Sequence, residues 1–166
     1  MRLFALLAAL LMLAGCATTA RAPSEPLYYV MRHLHTPAGE RDPDLTAEGQ
    51  RQTASLAGAL RERPRIIYVS SFRRTQQTAA PLAAALGLNP IVYDPADTPA
   101  LLARVRQGPF PVLIVGHSNT VPDIVAGLGG ERPAPLVHED FGDVWRVGAD
   151  GGTERFQITG TAPRPR

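Results

Sequence analysis

A three-layer α/β/α sandwich, built on a mostly parallel sheet with an antiparallel edge hairpin, is the fold class expected of this 166-residue chain. Three observations predict it. Short apolar runs alternate with helical segments in the order β-α-β-α-β-α-β, which places helices on both faces of a parallel sheet. The run Pro111–Gly116 (PVLIVG) is the most hydrophobic of the predicted strands. Beyond it, Asp143–Val147 and Glu154–Ile158 alternate like a hairpin around Asp150-Gly151-Gly152. The length suits one domain, and no internal repeat or second domain is visible.

The first strand is the run inside Leu27–Thr36 (LYYVMRHLHT), which ends at Arg32-His33. Pro37–Pro43 is a polar loop containing Gly39. Thr46 is placed to cap the next helix, with an apolar face from Ala54, Ala57 and Leu56 or Leu60 and a stop at Pro64. Arg65–Ser70 (RIIYVS) is the second strand. A helix from about Arg73 to Leu86 turns Ala79, Leu82, Ala83 and Leu86 inward and ends at Gly87. Asn89–Tyr93 reads as an edge-like strand, and Ala100–Gln107 as a short helix. After the strand ending at Gly116, Asn119 or Thr120 caps a helix with Pro122 in its first turn and Gly129-Gly130 at its close. Glu131–Asp140 is a proline-rich loop.

Met1-Arg2, the apolar run Leu3–Leu13 and Leu13-Ala14-Gly15-Cys16 precede all of this. The run is short for a membrane span. The segment resembles a bacterial lipoprotein signal with its lipobox, which implies a signal peptide over 1–15, acylation of Cys16 and a lipidated tether over 16–26. Ala17 rather than aspartate then points to the outer membrane, facing the periplasm. The domain proper is expected over 27–160, with a frayed tail over 161–166. Cys16 is the single cysteine, so no internal disulfide can form.

The formal charge is +2, and all 17 basic residues are arginine. They are scattered, with no basic stripe and no interleaved aromatics, so nucleic-acid binding is not expected. A monomer is expected.

Arg32-His33, Arg73-Arg74 and His117 all stand at the carboxyl ends of predicted parallel strands. Those ends share one edge, where open α/β sheets bind their ligands. Two histidines and two or more arginines would converge there, near the start of a helix. Such a site calls for an anion. Tetrahedral phosphate fits best, because guanidinium groups bind its oxygens bidentately and histidine can attack phosphorus.

Four segments, in order, then carry a family resemblance. Arg32-His33, Leu45-Thr46 with Gly49, Ser70-x-x-x-Arg74-Thr75-x-Gln77-Thr78-Ala79 and Gly116-His117 are similar to the motifs of the histidine phosphatase superfamily, the phosphoglycerate mutase-like proteins of branch 1. The resemblance runs from about Leu27 to Val147 and selects Arg74 over Arg73. It implies a nucleophilic His33 that forms a phosphohistidine, with Arg32, Arg74 and His117 as phosphate-binding catalytic partners. The second nitrogen of His33 is then held by a backbone carbonyl near Gly39 or Thr46. Removing either arginine should cost more in rate than in stability.

Leu34-His35 stands where the family has Gly and often Glu, so Leu34 is expected to narrow the pocket and His35 to contact substrate. Relatives place a glutamate after the third strand as general acid. Here that region offers Asp94 and Asp97, of which Asp97 is preferred, with Asp123 as a rival. Gln76-Gln77 and Ser118-Asn119 read as helix-start caps that could also reach substrate. His138, Glu139, Asp140 and Asp143 match no closed ligand set, and the family chemistry needs no metal or other cofactor. The expected partner is a small phosphorylated substrate, with hydrolysis favoured over binding without turnover and over a mutase, which would need long shielding insertions.

Overall fold

The computed structural model describes residues 25–159, so the signal segment, Cys16 and the extreme C-terminal tail fall outside the described residues. The strands are β1 (Leu27–Arg32), β2 (Ile66–Ser70), β3 (Ile91–Tyr93), β4 (Val112–Gly116), β5 (Asp143–Gly148) and β6 (Thr153–Gln157). The helices are α1 (Ala47–Ala59), α2 (Arg73–Leu86), α3 (Thr98–Val105) and α4 (Val121–Gly127). One sheet contains all six strands in the order β3-β2-β4-β1-β5-β6. The first four strands pair in parallel, while β5 runs antiparallel to β1 and β6 antiparallel to β5. The expected fold class is the observed one. Among the described residues, no helix is long and apolar enough to cross a membrane.

Because side chains alternate along a strand, β1 feeds two cores. Tyr29 and Met31 join Leu56 of α1 and Ala79 and Leu82 of α2 on one face. Tyr28 and Val30 join Leu101 and Val105 of α3 and Ile124 and Val125 of α4 on the other. Burial on both faces explains why β1 and β4 are apolar at nearly every position.

The helix ends follow local chemistry. Thr46 caps α1, its hydroxyl accepting from Gly49 N–H at 3.2 Å. Gly87, at φ 64°, ends α2 in the left-handed conformation. Phe72 gives α2 no side-chain cap; Asp42, from the loop after β1, accepts from Arg73 N–H at 3.1 Å instead.

The buried face of α1 differs from the apolar face expected. Ala54 and Ala57 are exposed, and Gly49, Gln52, Thr53, Ser55 and Leu56 face inward. Close backbone approach sets this rotation: a Cβ on Gly49 would stand 2.5 Å from the His35 carbonyl oxygen. Gly49→Ala should therefore destabilise the fold by about 1–3 kcal/mol through overpacking, outweighing a helix-propensity gain of about 1 kcal/mol. Chemical denaturation reads the sign, and a stabilised variant would refute the close-contact account.

Candidate active site

The register carries the site. Arg32 pairs with Gly116 across β1 and β4, and His33 N–H donates to the Gly116 carbonyl at 2.9 Å. His33 and His117 thus leave adjacent strand ends side by side, with ring centroids 5.5 Å apart. Ser70 ends the neighbouring β2, and one helical turn of α2 brings in Arg74. The result is an open cleft of about 460 Å³ at the carboxyl edge of the parallel strands, with all four of Arg32, His33, Arg74 and His117 in its wall.

His33 is 4% exposed, and its Nδ1 lies 2.9 Å from the Leu34 carbonyl. A carbonyl only accepts, so Nδ1 carries the proton and Nε2 keeps its lone pair. The holding carbonyl belongs to the next residue, not to the Gly39 or Thr46 region, because the chain turns immediately after β1. Burial, with Arg32, His117 and Arg74 nearby, outweighs the Leu34 bond and lowers the His33 pKa to about 3. His117 has the opposite tautomer. Its Nδ1 faces the Arg74 guanidinium at 3.3 Å, which can only donate, so Nε2–H donates to Ser70 Oγ at 2.8 Å. Burial first, then Arg74 and Arg32, lowers the His117 pKa to about 4.

Arg32 is 6% exposed. One terminal nitrogen donates to the carbonyls of Val137, His138 and Asp140 at 2.7, 3.1 and 3.2 Å, and the guanidinium lies 4.0 Å over the Phe141 ring. Its Nε is buried with no hydrogen-bond partner. An unpaired cationic donor costs free energy unless an acceptor reaches it, so an oxyanion in the cleft fits this arginine. Arg74 is held by the Arg41 carbonyl at 3.0 Å, by Asp42 Oδ1 at 3.3 Å and by the Phe72 ring at 4.3 Å.

Other sequence-derived candidates fall elsewhere. Asp97 is outside the cleft wall: it caps α3, accepting from Ala100 N–H at 3.0 Å, although its neighbours Pro95 and Ala96 line the cleft. Asp94 likewise accepts from Ala96 N–H at 2.9 Å, and Asp123 pairs with Arg132 on the exposed side of α4. His35 is also outside the wall, held by Gln52 at 2.8 Å and against Phe141 at a ring distance of 4.5 Å. Leu34 does not narrow the pocket. It is fully buried in the core, and among the described residues no non-glycine residue has positive φ, so the backbone there accommodates a side chain. Its N–H donates to Thr78 Oγ1 at 3.0 Å.

Gln77 joins the start of α1 to α2 through Leu45 N–H and Asp44, whereas Ser118 and Asn119 do line the cleft. Asp143 is engaged by Arg155 at 2.7 Å, and Asp140 Oδ2 by Val137 N–H at 2.7 Å. Three contributors were missed from the sequence: Glu40 in the cleft wall, Asp42 bracing Arg74, and Phe141 beneath Arg32. Their one sequence signal is position, in loops that must cover the carboxyl edge of the sheet.

Together these features define an α/β protein whose sheet edge holds a preformed oxyanion cleft backed by a neutral histidine. The branch 1 model of the histidine phosphatase superfamily matches residues 28–96 of the chain. Several solved structures share its fold. One is the protein histidine phosphatase SixA complexed with tungstate, at 21% identity and TM-score 0.59, covering 81% of this chain and 97% of that one. Another is the mycobacterial glucosyl-3-phosphoglycerate phosphatase, at 17% identity and TM-score 0.59, covering 74% and 90%. A third, a mycobacterial hydrolase, has 16% identity and TM-score 0.61, covering 84% and 100%. No curated protein matches the chain in sequence.

Proposed function

We propose that the protein is a phosphatase that hydrolyses a phosphomonoester or phosphoamidate through a phosphohistidine on His33. The observation that carries this reading is the unprotonated Nε2 of His33, oriented by the Leu34 carbonyl and flanked by Arg32, Arg74 and His117. Nε2 attacks phosphorus, and the bond to the leaving oxygen or nitrogen breaks with its electron pair passing to that atom. The leaving atom takes a proton from water in the open cleft. A second attack, by water on the phosphohistidine, returns the electron pair to Nε2 and releases inorganic phosphate. Arg32 and Arg74 hold the equatorial oxygens throughout, where negative charge resides. His117 completes the clamp.

Binding without turnover would not need a neutral, oriented nucleophile, and a mutase would need a cleft closed to water. The relatives named for phosphatase activity support the same class of substrate. Rapid acid-free quenching of the full-length chain with radiolabelled substrate should trap an alkali-stable, acid-labile phosphoprotein. Label on serine or aspartate instead would overturn the assignment of His33.

We further propose that Cys16 is acylated and anchors the protein to the outer membrane on its periplasmic side. Its support is the Leu13-Ala14-Gly15-Cys16 sequence. Globomycin should make unprocessed precursor accumulate, and normal processing under the drug would sink the anchor.

A further inference from the structure

We propose that the cleft selects phosphoryl compounds whose leaving group carries a positive charge, with Glu40 as the residue that meets it. For turnover this rests on the phosphatase reading above; for binding it rests on the cleft alone. The floor already has its cations: Arg74 and the deeply buried Arg32, whose unpaired Nε calls for an oxyanion. In-line attack by His33 then directs the leaving group away from the floor, toward the mouth.

The mouth has the opposite electrostatic character. Beyond Arg32 and Arg74 its wall holds no arginine, and Glu40 is its single carboxylate. The adjacent wall positions Pro37, Ala38, Pro43, Pro95 and Ala96 are small or apolar. Apart from the exposed Arg41 beside Glu40, the neighbouring charges reinforce the sign. Glu139 and Asp140 follow the wall residue His138 and act on Arg32 from that side, and Arg73, nearest on α2, lies outside the wall and is paired with Asp42 and Asp44. A leaving group with its own carboxylate or second phosphate would meet Glu40 with no wall arginine beyond Arg32 and Arg74 to offset it. One with an ammonium, especially a methylated one, would find an opposite charge and apolar walls.

The test uses the full-length chain and three phosphate esters of similar size: phosphocholine, its uncharged isostere 3,3-dimethylbutyl phosphate, and anionic 3-phosphoglycerate. The wild type should favour phosphocholine over the isostere in kcat/KM by about fivefold or more, the range expected for one partly exposed charge pair, with 3-phosphoglycerate last. Glu40→Gln should bring the phosphocholine-to-isostere ratio close to one, and Glu40→Lys should place 3-phosphoglycerate above phosphocholine. Equal use of phosphocholine and isostere by the wild type, or an unchanged ratio in Glu40→Gln, overturns the proposal. Thermal-shift affinities of the same compounds for His33→Ala separate the two levels. The same order of affinities without any wild-type turnover would leave the charge selection standing and remove the phosphatase reading, whereas equal affinities would remove the charge selection.

Discussion

Replacing His33 by alanine is expected to lower phosphatase turnover on the order of 10⁴-fold, because the proposed covalent intermediate forms on its Nε2. The substituted chain should still fold, since His33 is anchored through its backbone to Gly116 as well as through its ring. A residual rate within tenfold of wild type in a p-nitrophenyl phosphate assay would mean that water attacks directly. The acid limb gives a second readout. Burial holds the His33 pKa at about 3 and that of His117 at about 4, so both stay neutral well below pH 6.5. After correction for substrate ionisation, kcat/KM should hold from pH 7 down to about 5; a limb near 6.5 would show an ordinary, solvated histidine.

Stability should move the other way over that range. Unfolded histidines take up protons below about pH 6.5, which the folded protein refuses until about 3 and 4. The folded state therefore weakens as pH falls through this window, by up to about 1.4 kcal/mol per pH step and histidine. Denaturant titrations at pH 7 and 5 measure it.

Removing Arg32 is the second large effect. Arg32→Ala should reduce kcat/KM by about 10²–10³-fold, the usual loss when one preorganised donor to a developing charge is deleted. It should also destabilise the fold by about 1–3 kcal/mol, because carbonyls of the Val137–Asp140 loop lose their donor. The sequence led us to expect a loss mainly in rate; the structure adds a structural share, since the same side chain secures that loop and covers Phe141. Arg32→Lys separates the roles: it keeps the charge but lacks the planar fork, so it should recover only a minor part of the rate. Full recovery by lysine would show that a point charge suffices.

Much of the site was legible because it rests on strand ends. Arg32, His33 and His117 follow apolar runs whose parallel pairing forces them to one edge, and the segment from Ser70 to Ala79 places Arg74 in the first turn of α2. Sequence spacing and the rules of parallel sheets were enough for that. Loops were a different matter. Asp97 stands near the expected place of an acid, but its carboxylate is taken up by the cap of α3, while Glu40 reaches the wall from the irregular loop between β1 and α1, where no periodic pattern announces it. His35 lies two residues from His33, yet Gln52 and Phe141 hold it outside the wall.

The stretch Leu27–Thr36 shows where the division falls. Its amino acids alone determined a doubly buried strand ending in an arginine and a histidine, because alternation and apolar content act locally. Only the tertiary structure decided which nitrogen of His33 is free, that Leu34 turns into the core, and which residues surround the phosphate end of the cleft. Those outcomes depend on contacts between segments far apart in sequence, such as Leu34 with Thr78 and Arg32 with Val137. Packing and hydrogen-bond satisfaction across such distances are properties of the assembled sheet and its loops, which no local pattern encodes.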